Sequence, residues 1–507
     1  MSLSYWKTKI IRLNPGMTRN DWWICTVSGF GLALAYPPWN VYPLTGAALV
    51  PLFSGLRVGH PGKNARLGFF TGLIFYVALL YWLGHVTIVG TVLLAAVLAG
   101  ILALVAVLIG ECKRFRMCIP IAALIWAGVE YLRSLGPFSF AWGYLGHGLY
   151  PAREMIQLAY WAGVPGLSFI LAGFNASLAA VWEHFHHVWR PASPSSLPRD
   201  HLIYDGTVLL LFTGILAGDW FYGKSVMLQQ QATAESSMPC RIAVIQGNYE
   251  QNRKITASIE ETLADYLDWS RQALAESPDL IVWPESTITY PINFWPEGVA
   301  DIQKFVDQSN VEILTGAVGG YFDSRGSLTY LNQAILFTPG KLVDCTGSEV
   351  DLSGLPSYSK MHLVPFGEWV PWGEHWPFSM IETLIEEAGA GIFKRGSRQT
   401  LFITRGGARF AVAVCFESTL AWMWRQAKNQ GADFIITITN DAWYKRSAGL
   451  EQHFVQSVFR AVENRIPVVR AANTGISGFI GPTGEIQRLL PPHQAGYLVH
   501  ELRIARK

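Results

Sequence analysis

Charge is what this sequence has least of. Of 507 residues only 15% are Asp, Glu, Lys or Arg, against about 25% in an ordinary soluble protein. Lys+Arg at 39 and Asp+Glu at 37 nearly cancel. That balance excludes the clustered basic surface of a nucleic-acid binder. Cysteine is scarce too, and six in the whole chain do not make a disulfide scaffold. With half its residues hydrophobic, the chain is neither disordered nor a coiled coil nor a simple cytosolic enzyme. Tryptophan is plentiful, at 20, and indole is favoured at membrane–water interfaces.

The apolar excess is uneven. From Leu67 to Gly110 no residue is charged. As a helix that run extends about 66 Å, roughly twice the hydrocarbon core of a bilayer. It therefore reads as two spans broken at Gly84-His85. Similar runs near Trp22–Tyr36, Val41–Leu56, Cys118–Leu132, Ile156–Trp182 and Ile203–Phe221 bring the count to about seven, the first two being short. Basic residues gather in alternate loops: Lys7, Lys9, Arg12 and Arg19; Arg57, Lys63 and Arg66; Lys113, Arg114 and Arg116; Arg190 and Arg199. Those loops are expected on the cytoplasmic side. An odd number of spans then leaves everything after about Lys224 on the far side. The N-terminus has no short apolar core followed by a small-residue cleavage site, so no cleaved signal peptide is expected.

After Gln231 the texture changes. Apolar runs shorten to strand length: Arg241–Gln246, Leu280–Trp283, Val311–Val318, Asn332–Thr338, Phe410–Cys415, Phe434–Thr439 and Pro467–Ala471. Helical patterns cover Thr256–Ala275, Val299–Ser309, Thr419–Gln430 and Leu450–Arg465. Strands alternating with helices predict a layered α/β domain. The expected division is a transmembrane helical domain over 1–228 and an extramembrane α/β domain over 229–507.

Three short segments of the second half carry chemistry. Trp283-Pro284-Glu285-Ser286 ends a buried strand; its Glu reads equally well as a helix cap. Tyr358–Glu368 holds Lys360 among apolar residues, where a nearby carboxylate would keep it charged; a surface lysine is the plainer reading. His362 has no second His or Cys at ligand spacing and reads as a hydrogen-bonding residue rather than a metal ligand. Val412–Ser418 runs a strand into Cys415 ahead of a helix, and a thiol at a helix N-terminus is expected to have a lowered pKa. A lone Cys is more often simply buried.

Glu in WPE, then Lys, then Cys at a strand-to-helix turn resembles the nitrilase (carbon–nitrogen hydrolase) superfamily. Behind a multi-span half, the whole resembles bacterial apolipoprotein N-acyltransferases. The likeness spans nearly the entire chain: Leu34–Trp39 (LAYPPW), Gly68–Trp82, Glu130–Ser134, Ala141–Tyr144 and Ile156–Asn175 in the first half; Gln246–Asn248, Trp283–Ser286, Ser359–Glu368, Cys415–Glu417, Thr439–Trp443 (TNDAW), His453, Arg460–Arg465 and Arg470–Gly475 in the second.

The resemblance implies a nitrilase-like αββα sandwich beyond about seven spans, in a bacterial inner membrane, with the catalytic domain periplasmic. It implies an acyl chain moved from a phospholipid, usually phosphatidylethanolamine, to the α-amino group of a diacylglyceryl-cysteine at the start of an apolipoprotein. Carried over, Cys415 is the nucleophile that becomes a thioester, Glu285 the general base and Lys360 the oxyanion's counter-charge. Glu368 is expected to orient Lys360 or the base, and Glu417 to fix the loop that presents Cys415. No cofactor or metal is implied. Trp369, Trp372, Trp376 and Phe378, in a stretch broken by Pro371, Gly373 and Pro377, read as an interfacial lid, or as ordinary core packing. Glu130 and Arg133, at a span end, read as functional or as a helix-end pair.

Three departures from the family pattern stand out. No apolar run precedes Ile504–Lys507, Ile255 stands where Trp is usual, and Phe416 where Tyr is. Cys240 and Cys345 fall on the outer side, where a disulfide is chemically allowed, but sequence gives no separation between them. A membrane-tethered amidase using the same three residues is the competing enzyme. A binding-only scaffold would be expected to lack one of the three, and a transporter to carry charges within its spans.

Overall fold

The computed structural model describes residues 17–189, 199–233, 238–251, 258–322, 326–341, 343–345, 347, 349–369 and 393–504. The chain forms two compact units. One comprises Met1–Ser134, Ala141–Met227 and Ser447–Gln452; the other comprises Leu135–Phe140, Leu228–Arg446 and His453–Lys507.

The first unit is helical: α1 (Arg19–Leu34), α2 (Val50–Gly55), α3 (Pro61–Leu80), α4 (Ile88–Cys112), α5 (Cys118–Leu132), α6 (Ala159–Trp189) and α7 (Arg199–Thr233). Four stretches are long and apolar enough to cross a bilayer: Pro61–His85, Ile88–Cys112, Ala159–Phe185 and His201–Gln230. Helix α5 is apolar but shorter. The expected break at Gly84-His85 is a 3-10 turn, after which Thr87 caps α4 by accepting from the Gly90 N–H at 3.2 Å.

Val41–Leu56, expected as a continuous span, is instead a 3-10 turn (Tyr42–Gly46) followed by the six-residue α2. Pro43 and Pro51 each open one of these pieces, and neither has an N–H with which to continue a preceding helix. Asn175 takes up the broken backbone, accepting from the Leu49 N–H (3.0 Å) and donating to the Thr45 carbonyl (2.8 Å).

Charged groups join helix ends. Asp21 near the start of α1 pairs with Lys63 near the start of α3 (2.8 Å), Lys113 after α4 with Glu183 late in α6 (2.7 Å), and His184 with Asp205 early in α7 (3.0 Å). Since α1 and α3 begin together, residues 35–60 return the chain between them. Elsewhere in this unit the Gln452 Oε1 accepts from the indoles of Trp82 (3.0 Å) and Trp142 (2.9 Å), while its Nε2 donates to the carbonyls of Pro37 and Leu79. Glu130 and Arg133 each bond to groups beyond the helix end. Glu130 accepts from the Trp126 indole and the Leu145 N–H, both at 2.8 Å. Arg133 donates to the Tyr76 hydroxyl and the Trp142 carbonyl. Both therefore hold the segment that follows α5.

The second unit has two sheets. The first runs β13-β1-β2-β4-β5-β6, with β3 also on β4, from β1 (Met238–Gln246), β2 (Leu280–Val282), β3 (Ile288–Pro291), β4 (Glu312–Phe322), β5 (Leu328–Phe337), β6 (Ser357–Ser359) and β13 (Gly496–Ile504). The second runs β12-β11-β10-β9-β8-β7, from β7 (Leu401–Ile403), β8 (Arg409–Val414), β9 (Phe434–Thr439), β10 (Val468–Ala472), β11 (Ser477–Ile480) and β12 (Ile486–Leu490). The central strands are parallel: β1, β2 and β4 in one sheet, β8, β9 and β10 in the other. Strands β2, β9 and β10 are buried along their length and β8 beyond its first residue, as parallel strands covered on both faces must be. Helices α8 (Ile259–Ala273), α9 (Pro296–Ser309), α10 (Ala421–Asn429) and α11 (Gly449–Asn464) carry apolar stripes. The core under α8 and α9 includes Tyr266, Trp283, Ile302 and Phe337.

Cys240 and Cys345 are both free thiols. Burial pushes the Cys240 thiol up to about 12.

Candidate active site

Parallel strands end together, so the residues just past their ends share one rim. After β2 comes Glu285, after β6 Lys360, after β8 Cys415, and after β9 Asn440 and Asp441. Left-handed backbone marks two of these turns, with φ of 49° at Ser286 and 52° at Cys415. Close approach marks a third point. A side chain on Gly316 of β4 would overlap the Pro284 carbonyl and the Glu285 backbone, so only glycine lets the strand pass behind this acid.

Glu285 and Lys360 are nearly buried, at 5% and 1% exposure. The Lys360 Nζ donates to the Glu368 Oε1 at 2.9 Å and lies 3.4 Å from the Glu285 Oε1. The Asn332 Nδ2 donates to the same two oxygens, at 3.0 and 2.8 Å. Two carboxylates are thus bridged twice, once by an ammonium and once by an amide. Asn332 also holds the Lys360 backbone, its carbonyl accepting from the Lys360 N–H at 2.8 Å. The remaining oxygens are bound as well: Glu285 Oε2 accepts from the Asn440 N–H (2.8 Å) and Glu368 Oε2 from the Val364 N–H (2.9 Å). Burial alone would lower the Lys360 pKa, but Glu368 and Glu285 outweigh it and hold the lysine charged.

Cys415 is half-buried and free. The lowered pKa expected of its thiol is overturned. A 3-10 turn, Cys415–Thr419, precedes α10, so the thiol does not sit at an α-helix N-terminus. Burial and the Glu285 charge push it well above the usual thiol range, and Lys360 only partly offsets them.

Glu417 lies under the turn. Its Oε1 accepts from the Tyr358 hydroxyl (2.8 Å) and from the N–H groups of Met361 (2.7 Å) and His362 (2.9 Å), and its Oε2 accepts from the Val414 N–H (2.8 Å). One carboxylate therefore ties the segment of Lys360 to the strand of Cys415. Burial raises its pKa to about 7, despite Lys360 nearby. His362 is held neutral, its pKa lowered to about 4 by burial and by Arg395 and Lys360. It lies 3.1 Å from the Ser139 hydroxyl and stacks on Phe416, which also faces Phe140. Trp369 lies near Phe138 and beneath Arg395. Trp372, Trp376, Phe378 and Ile255 lie outside the described residues. Among the described residues no cluster of three His, Cys, Asp or Glu is arranged to hold a metal ion.

Sequence reasoning passed over two parts of this arrangement. One is Asn332, which sits mid-strand with nothing local to mark it. The other is a buried charge network behind Cys415. Asp441 pairs with the His453 Nδ1 (2.8 Å) and Arg470 (2.9 Å). The His453 Nε2 lies 2.9 Å from the Ser418 hydroxyl and 3.3 Å from the Cys415 carbonyl. Burial alone would raise the Asp441 pKa, but Arg470 and His453 hold it well below the usual carboxylate range. The TNDAW segment, His453 and Arg470 were the signal, visible as a likeness without a role.

Residues 28–177 match the family described as apolipoprotein N-acyltransferase N-terminal domain, and residues 241–506 match the carbon-nitrogen hydrolase family. The chain is 34% identical to the apolipoprotein N-acyltransferase of Geobacter metallireducens, over 96% of this chain and 90% of that one. It is 26% identical to apolipoprotein N-acyltransferase 1 of Treponema denticola, over 93% and 88%, and 27% identical to the apolipoprotein N-acyltransferase of Chlorobaculum tepidum, over 94% and 89%. With both halves matched in order and the likeness running end to end, the chain belongs to the apolipoprotein N-acyltransferase family, an enzyme family whose second half is a carbon–nitrogen hydrolase domain.

Proposed function

We propose that this protein transfers an acyl chain from a membrane phospholipid, through a thioester on Cys415, to the N-terminal amino group of a diacylglyceryl-cysteine on an apolipoprotein. The observation that carries the reading is the buried Glu285–Lys360–Glu368 cluster acting on the half-buried thiol of Cys415. With the thiol pKa raised by burial and the Glu285 charge, attack is coupled to proton transfer. Glu285 takes the thiol proton as sulfur bonds to the ester carbonyl carbon. Lys360 supplies positive charge to the oxyanion. The carbon–oxygen bond to glycerol then breaks, Glu285 returns the proton, and a lysophospholipid leaves. In the second half the acceptor amine attacks the thioester carbon, Glu285 takes a proton from nitrogen, and the carbon–sulfur bond breaks. The regenerated thiolate takes that proton back. Glu368 with Asn332 orients Lys360, and Glu417 fixes the Cys415 turn.

The proposed donor is phosphatidylethanolamine, and the proposed setting is a bacterial inner membrane with the catalytic domain over 229–507 on the periplasmic side and the membrane domain over 1–228. Seven crossings are supported by the shared end of α1 and α3, which makes residues 35–60 a return pass, and by basic loops on alternate connections. For the catalytic domain the proposal is an αββα sandwich. The Gln246–Ser477 and Asn248–Asn473 bonds between the two sheets support it, with α8 and α9 covering one sheet and α10 and α11 the other. The interfacial lid formed with Trp369 remains part of this proposal.

Intact-mass measurement after incubation with phosphatidylethanolamine tests the chemistry. A gain of one acyl chain is expected in the wild type, removed by neutral hydroxylamine and absent from Cys415→Ala. Removing one partner of a buried ion pair costs about 3–5 kcal/mol, so Lys360→Ala would confound folding with chemistry, whereas Cys415→Ala does not. Hydrolysis of soluble amides without any adduct would favour a tethered amidase instead.

A further inference from the structure

Lys394 and Arg395 are adjacent, exposed cations beside the site. Among the described residues neither is paired with a carboxylate. Each is laid on an aromatic ring instead: Lys394 lies 5.2 Å from the Tyr321 ring centroid, and Arg395 lies 4.1 Å over Trp369. Their backbone is pinned to the site. The Lys394 N–H donates to the Tyr330 carbonyl, and the Gly396 N–H donates to the carbonyl of Lys360, both at 2.8 Å. A side chain on Gly396 would overlap the Ser359 carbonyl, so this segment lies directly against the strand end that carries Lys360. The Arg395 charge is also felt at His362, which stacks on Phe416, the residue after the nucleophile. Trp369 is also joined by Phe138, whose ring faces it, and by Phe366, whose N–H donates to its carbonyl; these two are 47% and 51% exposed.

A guanidinium whose face is taken by an indole keeps its in-plane N–H fork free. That fork suits a tetrahedral oxyanion bearing one negative charge, and the apolar surround suits the chains of a lipid. We infer that Arg395, seated on Trp369 and flanked by Lys394, is the subsite for the phosphodiester of the phospholipid donor. The inference rests on the acyl-transfer reading and adds to it the group that selects the first substrate. The diacylglyceryl acceptor has no phosphate at the matching position, so the subsite acts in thioester formation and is idle in aminolysis. Arg395 binds the donor away from the reacting atoms.

The test uses the full-length protein in detergent micelles. Thioester formation is followed by intact mass with two donors of identical chains, a phosphatidyl diester and its uncharged methyl phosphotriester. The wild type is expected to use the diester with a half-saturating concentration at least about tenfold lower. Arg395→Gln is expected to lose that preference. It should keep the wild-type rate on the triester and the wild-type rate of transfer from a preformed thioester to a diacylglyceryl-cysteine peptide. Arg395→Lys, which keeps charge without the fork, is expected in between. Equal loss on both donors, or an undiminished preference in Arg395→Gln, would overturn the subsite. No adduct in the wild type from either donor would remove the acyl-transfer reading itself, and the subsite with it.

Discussion

Asn332 has the most consequential position at the residue scale that is neither acid, base nor nucleophile. Its amide nitrogen donates to Glu285 and Glu368 together, as does the one Lys360 ammonium between them. Asn332→Asp keeps the shape and reverses the electrostatics, adding a third negative charge to the pair. Activity at pH 8 is expected to fall at least about tenfold. The sign of the pH effect is diagnostic. As pH falls, an Asp at 332 takes a proton and donates again, so the ratio of variant to wild-type rate is expected to rise toward low pH. A flat ratio across pH would mean that Asn332 contributes shape alone.

At the scale of elements, the site is a set of strand ends with backbone passing close behind them. Strand β4 runs behind the Glu285 loop, and Gly316 is the point of contact. Gly316→Ala has nowhere to put its methyl group, because the atoms it meets are backbone rather than the tip of a flexible side chain. The loop must move, taking Glu285 away from Asn332 and from the Asn440 N–H. A displacement of about 1 Å is enough to cost roughly 100-fold in rate. Gly316→Ala is therefore expected to lose most of its thioester-forming activity while keeping its far-UV circular dichroism and a cooperative melt. Wild-type activity would show that the loop relaxes without disturbing the acid. Glu417 works on the same principle, its four hydrogen bonds joining β8 to the segment after β6.

At the scale of the whole molecule, charge is unevenly shared between the ends of the helices. Helix ends that share ion pairs carry the basic loops, and the remaining loops are poor in Lys and Arg. Exposed single cysteines at His60 and Ser397 should therefore label from opposite sides in intact cells with a permeabilised outer membrane. A membrane-impermeant maleimide should reach Ser397→Cys directly, and His60→Cys only after the inner membrane is opened. Labelling of both from outside would refute the seven-crossing proposal. The sequence alone determined the four long apolar helices, the α/β texture of the second half, and the order Glu285, Lys360, Cys415 with Glu368 and Glu417 beside them. Burial periodicity and residue chemistry are local properties, and they survive being read along a line. Missing from that reading were the short strands β3, β6, β7 and β11, the more polar β12, and β13, whose partner β1 lies at the other end of the domain. The broken pass at residues 42–55 also went unseen, because its backbone is satisfied by Asn175, more than a hundred residues away. Only the tertiary structure decided that Asn332 bridges two acids, that Asp441, His453 and Arg470 meet behind the nucleophile, and that the thiol is raised rather than lowered. A pKa depends on burial and on charges brought near in space, and spacing along the chain encodes neither.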